Sequence, residues 1–157
     1  MAVAAYAALL TPGADRPGVA IGSPAPPIEG RTLDGRTFRL ADLRGHPVIV
    51  NFWGPSCPPC RNEFPLFKEK LAEHVADGLV IVGVLMLDPP EPARDFVAEF
   101  GATWPTVEDP AASIRAAYRV VARPQTYFID GEGIVRAIQV GETTAADFER
   151  LYARIAP

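Results

Sequence analysis

The chain has 157 residues, 48% of them hydrophobic and 22% charged, so it is long enough for one globular domain with a substantial core. Its net charge of -4, with no cluster of lysine or arginine, argues against a nucleic-acid-binding surface. Two cysteines are too few for the disulfide framework of a small secreted fold.

The first residues, MAVAAYAALL, are apolar but too short to span a membrane, and no basic residue precedes them as in a signal peptide. Two interpretations stay open: a flexible leader, or the remnant of a signal or membrane anchor. Residues 11–27 are rich in proline, glycine and alanine, which is typical of a linker. We therefore expect a leader over residues 1–20 and one domain over residues 21–157.

Short alternating runs on both sides of Asp34-Gly35 predict an N-terminal β-hairpin. The run PVIVNFW (47–53) is continuously apolar and rich in β-branched residues, as expected for a strand buried on both faces. A helical pattern follows, with Phe64, Phe67, Leu71 and Val75 on one face and Gly78 as its stop. The run LVIVGVLML (79–87) then predicts a second buried strand, which completes a parallel βαβ unit.

The second half of the chain continues this alternation. Residues 91–101 and 111–118 predict helices, with a short extended piece, WPTVED, between them. Two strands separated by GEG predict an antiparallel hairpin, and residues 144–156 predict a closing helix. The economical packing is an α/β fold with a central mixed sheet and helices on both faces.

The sequence WGPSCPPC holds both cysteines, Cys57 and Cys60, directly behind a predicted strand and at the start of a predicted helix. A Cys-X-X-Cys pair beside a βαβ pattern is typical of a redox dithiol. At the helix N-terminus Cys57 is expected to be the nucleophilic thiolate, and Cys60, one turn inside, the buried resolving thiol. Because Pro59 has no N–H, the amide of Cys60 is the main donor left for the Cys57 sulfur.

Other uses of the two thiols are weaker. A loop this short gives little stabilisation as a structural disulfide, and zinc lacks ligands because His46 and His74 are distant in sequence. Arg61 stands where a c-type haem site needs histidine. Copper(I) remains a minority alternative. We expect no metal and no cofactor.

Beyond this chemistry, the chain resembles the TlpA/ResA-like thioredoxin-fold proteins, which are bacterial extracytoplasmic thiol–disulfide oxidoreductases. The resemblance lies in GSPAPP, TLDGRTFRLADLRGHPVIVNFW, CPPCRNEFP, WPTVED and YRVVARPQTYFID, and it extends from residue 21 to the C-terminus. It implies a thioredoxin-like fold with an N-terminal hairpin and a helical insertion. It further implies a monomer that reduces or exchanges disulfides in proteins such as apocytochrome c, supplied by a membrane electron donor.

Carried over residue by residue, the resemblance makes Cys57 the attacking thiol and Cys60 the resolving thiol. Pro124 falls where this fold keeps a cis-proline beside the dithiol, preceded here by the cation Arg123. Trp53 matches the aromatic residue before the active-site turn, with core packing as its other interpretation. The predicted substrate-binding residues are Trp53, Pro58, Arg123 and Pro124.

The proton acceptor for the resolving thiol is less evident. Asn51 stands at the strand position where classical thioredoxins carry a buried acid. Glu63, three residues after Cys60 on the same helix face, matches the family's Glu-X-Pro and is our candidate. The competing interpretation is a surface acid that pairs with Lys68 or Arg61.

Two other functions remain as alternatives. One is a thiol peroxidase of the alkyl hydroperoxide reductase/thiol-specific antioxidant type, but Gly54 stands where a peroxidatic site needs threonine. The other is a copper(I) chaperone, which in this fold usually has Cys-X-X-X-Cys. If the protein catalyses thiol–disulfide exchange, the missing amides of Pro58 and Pro59 predict a reduction potential nearer to that of thioredoxin, about -270 mV, than to that of the strongest oxidant of the superfamily, about -120 mV.

Overall fold

A five-stranded mixed sheet forms the centre of the computed structural model, which describes residues 19–157. Its elements are β1 (Glu29–Arg31), β2 (Thr37–Arg39), β3 (Val48–Trp53), α1 (Pro58–Glu73), β4 (Val80–Leu85), α2 (Pro90–Phe100), β5 (Thr106–Glu108), α3 (Ser113–Ala117), β6 (Gln125–Ile129), β7 (Val135–Val140) and α4 (Ala145–Tyr152). The predicted leader lies largely outside the described residues. Among those residues no helix combines the length and the apolar character needed to cross a bilayer.

The strand order in the sheet is β5-β4-β3-β6-β7. Strands β3, β4 and β5 are parallel, and β6 runs antiparallel to both of its neighbours. The carboxyl ends of β3, β4, β5 and β7 therefore meet the amino end of β6 at one edge, which we call the dithiol edge. Ligand sites in α/β sheets form at such carboxyl ends.

Every residue of β3 is buried, which explains its continuous apolar run. Alternate residues point to opposite faces. Ile49 and Trp53 belong to the core beneath α1, α2 and α4, and Val50 and Phe52 to the core beneath α3. Asn51 falls between Ile49 and Trp53, so it points toward α1. Helices on both faces of a mixed sheet confirm the predicted fold class.

The predicted hairpin forms its own two-stranded sheet, β1-β2, and a bridge from Thr32 to Val107 joins it to β5. The prediction of one continuous helix was wrong, although Gly78 does end the helical segment, in a left-handed conformation. The α-helix ends at Glu73 and a separate 3-10 turn covers Val75–Asp77. Val75 is consequently 72% exposed and does not continue the buried stripe of Phe64 and Phe67.

Candidate active site

The dithiol lies between the end of β3 and the first turn of α1. Cys57 is the N-cap of α1, and Pro58 and Pro59 occupy the first two helical positions, where no intrahelical N–H bond is lost. Cys57 and Cys60 form a disulfide, with Cα atoms 5.3 Å apart, inside the roughly 4.4–6.8 Å range of such bonds. Spacing and capping together place the two cysteines about one helical turn apart on one face, so that their sulfurs can bond.

The surroundings of the two sulfurs differ. Cys57 keeps 4% exposure and Cys60 none. The Cys57 sulfur accepts a hydrogen bond from the backbone N–H of Cys60, at 3.3 Å, as predicted from the proline content of this turn. Ser56 and Pro58 on either side of Cys57 are exposed. Of the two thiols, Cys57 is thus the one nearer to solvent.

Beneath the dithiol, Glu63 is a buried acid with 1% exposure. One carboxylate oxygen accepts from the backbone N–H of Thr143 at 2.6 Å, and the other accepts from the side-chain amide of Asn51 at 3.3 Å. The amide of Asn51 also donates to Thr126 at 3.0 Å. We call these four residues, Glu63, Asn51, Thr126 and Thr143, the buried acid network.

The protonation of Glu63 follows from this environment. Burial raises the pKa of Glu63 to about 7, because removal from water penalises the carboxylate more than the donors from Thr143 and Asn51 stabilise it. The alternative interpretation of Glu63 as a surface ion pair is wrong. Arg61 pairs with Glu99, and Lys68 donates to the carbonyl of Phe100.

Trp53 is completely buried. Its ring packs edge-on against Phe64 at a centroid distance of 4.7 Å and lies 5.0 Å from Phe96. With no exposed surface it cannot contact a substrate directly in this structure. Of the two predicted roles, core packing is therefore the one that its position supports, as a rigid support below the active-site turn.

The Arg123–Pro124 peptide bond is cis, in agreement with the resemblance. Pro124 is buried and directly precedes β6. The guanidinium of Arg123 bonds Asp88 at 2.8 Å and the carbonyl of Met86 at 2.7 Å, both in the segment after β4. It also donates to the hydroxyl of Ser56 at 2.7 Å. The predicted cation is therefore next to the dithiol turn, but its charge is paired.

Asp88 was missed by the sequence analysis. Besides binding Arg123, its carboxylate accepts from both the backbone N–H of Ser56, at 3.1 Å, and the hydroxyl of Ser56, at 2.7 Å. We call the ion pair of Asp88 and Arg123 the edge ion pair, and Ser56 is hydrogen-bonded to both of its members. A signal for Asp88 was present, because a polar residue just behind a buried parallel strand falls at the edge where sites form.

A cleft of about 390 Å³ begins at Asp88 on the dithiol edge. Its lining includes Met86, Leu87 and Pro89. Leu87 is 67% exposed, and Val121 and Val140 on neighbouring segments of the same edge are exposed as well. The dithiol edge thus presents several exposed apolar side chains.

The histidines cannot reach the dithiol. His46 precedes β3, whose length separates it from Cys57 by about 20 Å. His74 follows α1, at the opposite end of a helix about 24 Å long. Within residues 19–157 the cluster with metal-ligand spacing is Glu73, His74 and Glu149, and it includes neither cysteine. The ammonium of Lys70 already bridges its two carboxylates.

A mixed sheet, a helix-capping dithiol and a cis-proline at the same edge define a thioredoxin-like redox protein. The family model described as "AhpC/TSA family" matches residues 21–138, and the chain belongs to this family. The resemblance expected from the sequence is also confirmed. The chain is 36% identical to the thiol-disulfide oxidoreductase ResA of Geobacillus kaustophilus over 143 residues, 91% of this chain and 82% of that protein.

Solved structures agree with this assignment. A thiol:disulfide interchange protein of the thioredoxin family from Chlorobium tepidum superposes with a TM-score of 0.77 at 30% identity, over 87% of this chain and 97% of its own. A secreted disulfide oxidoreductase of Mycobacterium tuberculosis, homologous to DsbE of Escherichia coli, has a TM-score of 0.70 at 26% identity, over 82% and 93% of the two chains.

Proposed function

We propose that this protein catalyses thiol–disulfide exchange with protein substrates through Cys57 and Cys60. The observation that carries the proposal is the dithiol at the α1 N-terminus above a buried acid. In the reduced protein the Cys57 thiolate attacks one sulfur of a substrate disulfide, forms a mixed disulfide and releases one substrate thiolate. The helix N-terminus favours the anionic sulfur at this position.

In the second step Cys60 loses its proton and attacks the sulfur of Cys57. The Cys57–substrate bond breaks, the second substrate thiolate leaves, and the protein keeps both oxidised sulfurs as its own disulfide. Glu63 lies one turn further along the same face of α1, and a pKa of about 7 suits a proton acceptor near neutral pH. We assign it that role.

The substrates are proposed to be extracytoplasmic proteins such as apocytochrome c, with a membrane electron donor regenerating the dithiol and the protein acting as a monomer. The names of the relatives support protein disulfides as substrates, and one solved relative is described as secreted. Pro58 and Pro124, with the apolar rim of Leu87 and Val121, are proposed to hold the substrate chain beside Cys57.

The proposed direction is reduction or mild exchange. A strong oxidant needs a very stable thiolate, which in turn needs donors around the sulfur. Here the Cys57 sulfur has the Cys60 amide, Pro58 and Pro59 have no N–H, and both donors of Ser56 are bound to Asp88. We expect a potential closer to about -270 mV than to about -120 mV.

The alternatives fit the site less well. A peroxidatic threonine cannot replace Gly54 in this structure, because a Cβ there would overlap Asp88 and Arg123 and lie 2.9 Å from the carbonyl of Met86. A copper(I) chaperone would lack a third ligand from His46 or His74, which lie too far from Cys57. Exchange chemistry needs neither.

The test is trapping and turnover on one substrate. The reduced Cys60→Ser variant is expected to accumulate a mixed disulfide with a disulfide-bonded test protein such as insulin. The Cys57→Ser variant is expected to form none. The native protein should reduce insulin with dithiothreitol as electron source and show no matching peroxide turnover. Trapping through Cys60 in the Cys57→Ser variant, or peroxide turnover faster than insulin reduction, would contradict the proposal.

A further inference from the structure

The edge ion pair is hydrogen-bonded to Ser56, the residue directly before Cys57. Asp88 comes from the segment after β4, Arg123 from the segment before β6, and Ser56 from the turn after β3. Their side chains are only partly exposed, 11% for Asp88 and 20% for Arg123. The Asp88 carboxylate thus connects its own segment to two others, and one of these contains Ser56, the residue directly before Cys57.

The carboxylate is held in its charged form. Partial burial opposes ionisation, but the two hydrogen bonds from Ser56 and the guanidinium of Arg123 keep the pKa of Asp88 below its usual range. At neutral pH the pair is therefore an anion and a cation in contact, with little net charge. Gly54 allows the approach, because a side chain there would overlap both partners.

Two consequences for Cys57 follow from these contacts. First, the positive charge of Arg123, which alone would stabilise a nearby thiolate, is cancelled by Asp88. Second, the N–H and the hydroxyl of Ser56 point to Asp88 and are not available to the sulfur. Both effects leave the thiolate of Cys57 less stabilised than the residue types alone would suggest.

We propose that Asp88 is a positioning residue that sets the redox balance of the dithiol. It neutralises the positive charge of Arg123 and holds the two hydrogen-bond donors of Ser56 away from Cys57. The proposal deepens the proposed exchange function and rests on it. In this view Asp88 makes the protein less oxidising than Arg123 alone would. The two members of the pair act in opposite senses, since Asp88 disfavours the thiolate and Arg123 favours it.

The other charged groups near the dithiol edge are buried or have other partners. Glu108 and Asp109 line the same cleft as Asp88. Glu108 is paired with Arg94, and Asp109 accepts hydrogen bonds from the backbone N–H groups of Ile114 and Arg115.

Glu63 of α1 is buried below the dithiol, and Arg61 of α1 is bound to Glu99. Glu142, after β7, is exposed and accepts from Asn62. The edge ion pair is therefore the charged contact joined directly to the turn that carries Cys57.

The experiment measures equilibrium with glutathione and the pH dependence of Cys57 alkylation in the full chain. Asp88→Asn keeps an acceptor for Ser56 but removes the charge. We expect it to favour the reduced form about tenfold, which corresponds to about 30 mV toward the oxidising end, and to lower the Cys57 pKa. Arg123→Gln should shift both quantities the other way, and the double variant should lie near the native protein.

Asp130→Asn is the matched control. Asp130 is similarly buried and paired with an arginine, Arg136, but it follows β6 at the opposite edge of the sheet, about 17 Å away. It should lower stability without moving the glutathione equilibrium. A structural role for Asp88 predicts loss of stability in every variant and no reversal of sign between Asp88→Asn and Arg123→Gln.

Shifts in the same direction for the two single variants, no shift for either, or an equal shift for Asp130→Asn would overturn the proposal. If Asp88→Asn folds poorly, the shifts of the glutathione equilibrium in Arg123→Gln and in the double variant still show whether the two residues act in opposite senses. Equilibrium with glutathione requires the dithiol but no protein substrate. Failure of insulin reduction and failure of the sign reversal are therefore separate results.

Discussion

Two carboxylates flank the dithiol, and their environments give them opposite properties. Glu63, in the buried acid network, has amide donors but no cationic partner among residues 19–157, and burial raises its pKa to about 7. Asp88, in the edge ion pair, is partly buried as well, yet Ser56 and Arg123 hold its pKa below the usual range. The comparison teaches that a neighbouring cation and residual solvent decide which acid can carry a proton at neutral pH.

The largest expected effect is on stability through Glu63. Its folded pKa lies above the unfolded value of 4.5, so between pH 4.5 and 7 the native state binds more protons than the unfolded state. The stabilisation that Glu63 contributes is then complete below pH 4.5 and is lost as the pH rises through 7, by about 3 kcal/mol in total. Glu63→Gln should lose this slope and be more stable than the native protein at pH 8.

Chemical denaturation at several pH values checks this expectation. Glu91→Gln, which removes an exposed acid of α2, is the matched control and should keep the native slope. An unchanged slope in Glu63→Gln would show that another group titrates.

The second effect is on the rate of the resolving step. Glu63→Gln removes the proposed proton acceptor but keeps the shape of the network. We expect mixed-disulfide resolution to slow about a hundredfold above pH 7, the lower range for a general base. The native rate should rise through pH 7, and the variant should lose that rise. Single-turnover resolution of a trapped mixed disulfide measures it, and equal rates in the two proteins would remove Glu63 from the mechanism.

The third effect sharpens the other side of the comparison. Gly54→Ala places a methyl group against Asp88 and Arg123, so the edge ion pair must separate or the turn must shift. Overpacking of this kind costs about 2 kcal/mol. Thermal unfolding measures it, with Gly131→Ala as control, where the nearest atom would be at 3.3 Å. A cost no larger than that of the control would mean that the turn yields easily.

The smallest effect concerns an ion pair outside both groups. Arg61 and Glu99 are about half exposed, 48% and 57% for their side chains. Exposed pairs of this kind contribute about 0.5 kcal/mol. Glu99→Gln should therefore change the free energy of unfolding by no more than this and leave the glutathione equilibrium unaltered. A larger change would mean that this exposed pair affects the protein as the partly buried edge ion pair does, contrary to the distinction based on their exposure.

Local pattern was enough to predict much of the molecule. The apolar run of β3, the helix that starts at Cys57 and the spacing of the two cysteines are consequences of short-range geometry. They predicted the βαβ unit and the bonded dithiol in its observed place. The end of α1 was not predicted, because Val75 continues the apolar spacing while the backbone leaves the helix after Glu73.

What the sequence by itself determined is the class of fold, the dithiol and Glu63 as a candidate acid, since strand alternation and helical spacing act over a few residues. Tertiary structure decided the rest. Whether Glu63 is buried or paired depends on Thr143, which lies 80 positions away in the chain. The pairing of Arg123 depends likewise on Asp88, 35 positions away, because the carboxyl end of β4 and the amino end of β6 lie at the same edge of the sheet. Charge and burial are properties of such assembled neighbours, and no local pattern records them.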